Sequence, residues 1–302
     1  MVDETALLRH WPAASRVVDR ESLGLRAGAA QRVVVETPAG REAVLLRTGR
    51  DREHIENLIA VGDALSRRPG PWPRVRALMG EVLVEEWVNG VTAVSVQAPY
   101  ESLERGAEAI AELHGAGFRE GFDWERKPAE LTPGPEMQLF RLGFAAAARE
   151  AVRPWLEAAQ VALCATPFGF SHRALTADHL LFTATTAWIV DFEDAGFGAQ
   201  LFDLEAFLLT SGADASARGQ LAAHYARIRG LDPESTAGLA DLAGLIWGLD
   251  WLLSAPRRQI EALGDDGRSE ALRLMAVRVD AAIRETAGSH PVAKAIRTAL
   301  WA

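Results

Sequence analysis

The stretch "AWIVDFEDAGFGAQLFDLEAFL", residues 187 to 208, decides how this chain is read. It opens on the apolar run "AWIV", which predicts a short strand. Asp191 then stands at the strand's end, where its carboxylate faces a cleft. Glu193, Asp194 and Asp203 come after it within the same stretch. "DFEDAGFG" therefore supplies a fixed carboxylate and then a flexible glycine turn. A hard cation such as Mg²⁺ takes oxygen ligands, commonly one or two carboxylates together with phosphates and water. Taken alone, the same residues also read as a solvated acidic turn after an edge strand.

Immediately upstream lies "FSHRALTADHLLF", residues 170 to 182. Its apolar end pairs in pattern with the strand at 187, so "HLLFTATTAWIVDF" (179–192) predicts a short hairpin. Further out, the pattern divides the chain. "QRVVVET" (31–37) and "AVLLR" (43–47) predict strands joined by a turn at "PAG". A helix is expected from about Asp51 to Leu65. Ile55, Leu58, Ile59 and Leu65 form its apolar stripe and Asp51 its cap. "RRPGPWP" (67–73) is a loop, and "RVRALMG" and "EVLVEEWV" predict two more strands. From Pro99 the pattern is helical, beginning with "YESLERGAEAIAELHGAGF", where Leu103, Ala107, Ile110 and Leu113 share a face. Later helices are expected near 136–163, 202–211, 216–229, 234–255 and 267–286. The fold class is α+β: a small sheet lobe over residues 1–87 and a larger helical lobe over 88–302. The pattern changes at "EEWVNG" (85–90), and a cleft between such lobes suits a small molecule.

Composition narrows the function. Of 302 residues, 49% are apolar and 24% charged, the profile of a soluble globular protein with a sizeable core. No apolar run is long enough to span a membrane, and the N-terminus lacks the pattern of a secretory signal. Cys164 is the only cysteine, which excludes a disulfide within the chain and fits a cytoplasmic setting. The net charge of −9 argues against a nucleic-acid partner and is compatible with a cationic substrate. No H-E-x-x-H or G-x-S-x-G is present, which disfavours a hydrolase. Nothing in the sequence sets an oligomeric state.

His172, Ala174, His179 and Asp191 are spaced as in H-x-D-x-x-x-x-N followed by D-F-x. On these residues, with "VDFEDAGFG" and "LFDL", the chain resembles the aminoglycoside phosphotransferase and choline kinase family. "AELHGAGF", carrying His114, resembles that family's leucine-histidine helix. "LVEEWVNG" resembles its hinge and "AVLLR" its nucleotide-anchoring strand. The resemblance covers about Leu23 to Leu208. It implies a two-lobed protein-kinase-like fold. Mg·ATP (or GTP) would lie between the lobes, with a small-molecule or peptide hydroxyl as acceptor. Asp191 would hold Mg²⁺, Asp203 would brace the catalytic loop, and His172 would pack beneath the metal strand. Glu85 and Trp87 would lie at the hinge. "LRAGAAQ", with Gly28, would cover the phosphates.

Three positions depart from the family pattern. Ala174 replaces the aspartate that orients the acceptor hydroxyl and receives its proton, a contribution worth about 10²- to 10⁴-fold. His179 replaces an asparagine at the second metal position, where a neutral imidazole can still ligate. Arg47 replaces a lysine. It keeps the charge but is longer and planar. Glu56 is its expected ion-pair partner, with Glu53 next. Three accounts of Ala174 stand: a natural pseudokinase that binds without turnover, an inactivating substitution in a chain otherwise reading "SHRDLTADHLLF", or a mechanism rerouted through another acid. The retained Asp191, Gly196, Gly198 and Asp203 favour the second.

The acceptor side is read from "LIWGLDWLLSAPRRQ" (245–259). Trp247, Asp250 and Trp251 would suit a cationic amine, with Glu193 and Asp194 as further acidic candidates. Arg257 and Arg258 would suit an acidic peptide or a phosphate. The competing reading is an amphipathic core helix striped by Leu245, Leu249 and Leu252.

Overall fold

The computed structural model describes residues 4–23, 30–48, 52–94, 98–118, 144–254, 267–285 and 290–301. The N-terminal lobe is an antiparallel sheet in the order β1-β2-β3-β5-β4. Its strands are β1 (Arg16–Ser22), β2 (Ala30–Thr37), β3 (Gly40–Thr48), β4 (Val75–Met79) and β5 (Val82–Glu86). Alternation gives the sheet two faces. Val33, Val35, Val44, Leu46 and Val84 form one apolar cluster with Leu7 of the short helix α1 (Glu4–Leu8). Arg47 pairs across the sheet with Leu83, and Leu45 with Glu85, so these four occupy the other face. Helix α2 (Arg52–Ser66) lies near that face, and Gly62 gives Leu83 room, because a β-carbon there would fall 2.7 Å from its Cδ1.

A small sheet of β6 (Val91–Thr92), β8 (Leu180–Phe182) and β9 (Ala187–Ile189) lies beyond the linker. β7 (Phe168–Ser171) pairs with β10 (Gly196–Ala199) as a separate ribbon. Around them pack α3 (Tyr100–Gly115), α4 (Ala146–Leu163), α5 (Gln200–Ser211), α6 (Ala215–Arg229), α7 (Pro233–Ser254), α8 (Gly267–Arg284) and α9 (Pro291–Trp301). Asp214 caps α6 by accepting from the Ala217 N–H at 2.8 Å. Helix α5 is buried along nearly its whole length and is the axis of the lobe.

One apolar core runs through the helical lobe and takes in Val61, Ala64, Leu65 and Trp72 from the sheet lobe. The lobes are clasped at this point. The Ile189 N–H donates to the Pro71 carbonyl at 2.7 Å, and Arg68 donates to the Ala116 carbonyl. Trp72 donates to the carbonyls of Leu65 and Arg68 and meets Phe118 edge-on at 5.7 Å.

The α+β class and the two-lobed, kinase-like arrangement match the expectation. Strand β1 was not anticipated. The helix expected from 136 is described from Ala146. Gly28, Asp51, Arg257 and Arg258 lie outside the described residues. Among the described residues no helix is long and apolar enough to cross a membrane.

Candidate functional site

The site is built on the loop that leaves β7. Asp203, in the first turn of α5, is 1% exposed, yet it is surrounded by donors. It accepts from the Ser171 hydroxyl at 2.8 Å, the His172 N–H at 2.6 Å and the Arg173 N–H at 2.8 Å. His114 Nε2 adds a fourth bond at 3.1 Å. Burial alone would raise its pKa. The hydrogen bonds from His114 and Ser171 outweigh that and lower it. This donor set also holds Arg173 at φ 67°, a left-handed conformation that an arginine adopts only when its surroundings impose it.

His114 is lowered by burial despite Asp203 and is therefore neutral. Its Nε2–H donates to Asp203, and its Nδ1 accepts from the Tyr225 hydroxyl at 2.9 Å. His172 is fully buried, and burial lowers its pKa too. Its Nε2–H donates to the Val190 carbonyl at 2.9 Å, which ties the loop to the strand that presents Asp191.

Asp191 has φ 70° and ψ 56°, at the start of a tight turn over Phe192–Asp194. The described structure brings it together with Arg47 and His179. Arg47 donates directly to Asp191 Oδ1, and its Nε lies 3.2 Å from Glu85 Oε2. His179 Nε2 lies 3.5 Å from Asp191 Oδ2, while its Nδ1–H donates to the Ala174 carbonyl at 2.6 Å. Burial would raise Asp191, but Arg47 and then His179 hold it well below the usual carboxylate range. Burial likewise opposes a charge on His179, yet Asp178 and Asp191 raise its pKa. The result is a carboxylate kept ionised by the Arg47 guanidinium, with the His179 imidazole alongside it. Ala174 sits on the same loop with a methyl group where an acid was expected.

One expectation needs correction. Arg47 is paired with Glu85 and Asp191, whereas Glu56 is exposed on α2. Among the described side chains of α2, Asn57 reaches the site, and its amide donates to the carbonyls of Glu193 at 2.8 Å and Ala195 at 3.0 Å. One helical position is about 100°, enough to turn Glu56 outward. Glu85, expected at the hinge, directs its carboxylate to Arg47 because the β3–β5 register puts both on one face. Trp87 packs against Arg32, whose guanidinium lies 5.5 Å from the ring centroid.

Glu193 is half-buried and acts electrostatically on Arg47, while Asp194 is exposed. Trp247 and Trp251 stack at 5.6 Å and pack against the helical core. Asp250 is half-buried between them in sequence. These three ride on α7, which packs on α4, α5, α6, α8 and α9. Among the described residues no three His, Cys, Asp or Glu side chains form a ready-made metal cage.

Residues 23–239 match the model of a phosphotransferase enzyme family. No curated protein sequence matches the chain. Solved structures do. A choline/ethanolamine kinase family protein from Mesorhizobium loti is 20% identical, covers 93% of each chain and gives a TM-score of 0.62. An aminoglycoside phosphotransferase from Alicyclobacillus acidocaldarius is 16% identical over 99% of this chain and 96% of its own, with a TM-score of 0.57. A macrolide 2'-phosphotransferase from Brachybacterium faecium is 18% identical over 92% and 97%, with a TM-score of 0.56. At such identities the likeness is one of fold.

Proposed function

Since this chain belongs to the phosphotransferase enzyme family, we propose that it binds Mg·ATP in the cleft between its lobes and is built to phosphorylate a hydroxyl of a small molecule. The observation that carries this reading is the Arg47–Asp191–His179 group. Mg²⁺ is held by few protein ligands and completes its shell from phosphates and water. Asp191, ionised and accepting only, fits that demand, with His179 Nε2 beside it. Arg47 supplies a planar, permanent cation suited to phosphate oxygens. In this reading Asp191 turns to the metal and Arg47 to the phosphates, each exchanging its present partner. Bound Mg·ATP supplies the phosphoryl group and charge neutralisation at its oxygens.

The protein's own part is positioning. Asp203 fixes the backbone of residues 171–173, and the His172–Val190 bond fixes that loop against Asp191. The acceptor's proton has no carboxylate at position 174 to go to. Turnover of this chain is accordingly reduced by about 10²- to 10⁴-fold relative to an aspartate-bearing one. A binding protein without turnover is the second reading, and the Ala174 methyl is what favours it.

Calorimetric titration with ATP, with and without Mg²⁺, tests the site. Mg²⁺-dependent binding is expected. No binding at millimolar ATP would remove the phosphotransferase reading and leave a non-catalytic, partner-binding scaffold. Ala174→Asp then tests the chemistry against cationic and neutral hydroxyl acceptors. A rise of about 10²-fold or more in phosphate transfer supports the enzyme. Binding with no gain in transfer supports the non-catalytic reading.

A further inference from the structure

A second cavity, of about 610 Å³, opens where the C-terminal end of α3 meets the β7–β10 ribbon. Its walls include Phe118, Phe168, Phe170 and Phe197, with Gln200 and Arg229 as polar groups. Ala174, His179, Asp191 and Arg47 are not among its lining residues. The rings are fixed edge to face, Phe168 on Phe197 at 4.2 Å and Phe118 on Phe170 at 4.8 Å. Arg229, the last residue of α6, donates from Nη2 to Gln200 at 3.1 Å. Its Nε is shielded from solvent and has no hydrogen-bond partner. Among the described residues it forms no ion pair with a carboxylate. Glu108 and Glu112 border the adjoining groove, and Glu108 is engaged by His224 at 3.2 Å. A hollow walled by four phenylalanines, with nearly as much polar as apolar surface and with one arginine that has no carboxylate partner among the described residues, matches a ligand with an apolar body and a single negative charge.

The same arginine is wired to the loop 171–173. Gln200 donates onward to the carbonyls of His114 at 3.2 Å and Phe170 at 3.1 Å. Arg229 also acts on Tyr225, which bonds His114, which bonds Asp203. Asp203 in turn holds the loop's N–H groups. We propose that this cavity binds an aromatic or branched aliphatic monocarboxylate, and that its occupancy is transmitted through Arg229 to the loop that carries Ala174. The inference does not depend on phosphate transfer, because its readouts are binding and hydrogen exchange.

The probes are 4-phenylbutyrate and its neutral amide, titrated by calorimetry into the full chain. The acid is expected to bind at least about tenfold tighter than the amide. Arg229→Gln should erase that difference. The acid should alter hydrogen exchange of the amides at 171–173 in the parent chain and leave them unchanged in Tyr225→Phe. Should Arg229→Gln lower Tm, Phe197→Ala serves instead and should weaken acid and amide alike. Equal binding of acid and amide, no binding of either, or binding indifferent to both variants would overturn the site. Unchanged exchange at 171–173 on saturation would overturn the coupling.

Discussion

Asp203 and Glu205 stand two residues apart on one helix, both 1% exposed, and they have opposite fates. Asp203 faces the loop and collects four donors, so it keeps its charge. Glu205 faces the helical core. Its nearest cation, Arg218, lies 3.8 Å away, too far for a hydrogen bond, and its Oε2 has no partner. Burial first, with Asp241 adding to it, pushes Glu205 up to about 8 despite Arg218 and Arg297. Depth alone does not decide whether a carboxylate is ionised. The number of donors within reach does. Asp191 is a third case, held by side chains rather than backbone N–H groups, and so able to change partners.

The comparison can be broken at several points. Asp203→Asn should have the largest effect, about 3–5 kcal/mol in urea unfolding at neutral pH, because buried donors lose their charged acceptor. The depressed pKa of Asp203 contributes stability above the unfolded carboxylate value of about 3.9, and that stability is lost as pH falls towards the folded value. The variant should therefore show a shallower acid limb. Glu205→Gln should do the reverse. Folded Glu205 holds its proton up to about 8 while the unfolded chain releases it near 4.5, so the parent loses stability as pH rises between those values. The variant should match the parent near pH 4 and gain up to about 1.4 kcal/mol per pH unit above pH 5. An identical pH profile would show that Glu205 is ionised in the fold.

Arg47→Lys sharpens the contrast at Asp191. Lysine lacks the fork that spans Glu85 and Asp191, and calorimetric ATP binding should weaken by about tenfold. The smallest effect is expected for Asn57→Ala. Losing its two bonds to the turn at 193–195 should cost about 1 kcal/mol in thermal unfolding.

The fold was legible where periodicity was strong. The β2–β3 hairpin, α2 and α3 arise directly from alternating and helical apolar patterns. Strand β1, "RVVDRES", escaped because it lies mostly exposed at the sheet's edge and shows no clean alternation. At the site, the spacing of His172, His179, Asp191 and Asp203 placed residues that the fold does bring close. The partners were harder. Tyr225 and His114 are 111 positions apart, and nothing local links them. Charge pointed to Glu56 as an ion-pair partner and left Asn57 without a role, whereas the turn needed a neutral donor for two carbonyls. Arg229 carries no motif. Its meaning comes only from the cavity at the end of its helix.

The clasp at Pro71–Ile189, with Trp72 against Phe118, has a mechanical consequence. Were the sheet lobe to turn on the helical lobe, that joint would serve as its fulcrum. Rotation of the sheet lobe about that point leaves the rear nearly still while Arg47, further forward, swings with its strand. A small angular change would thus separate Arg47 from Asp191 before it disturbed the joint itself.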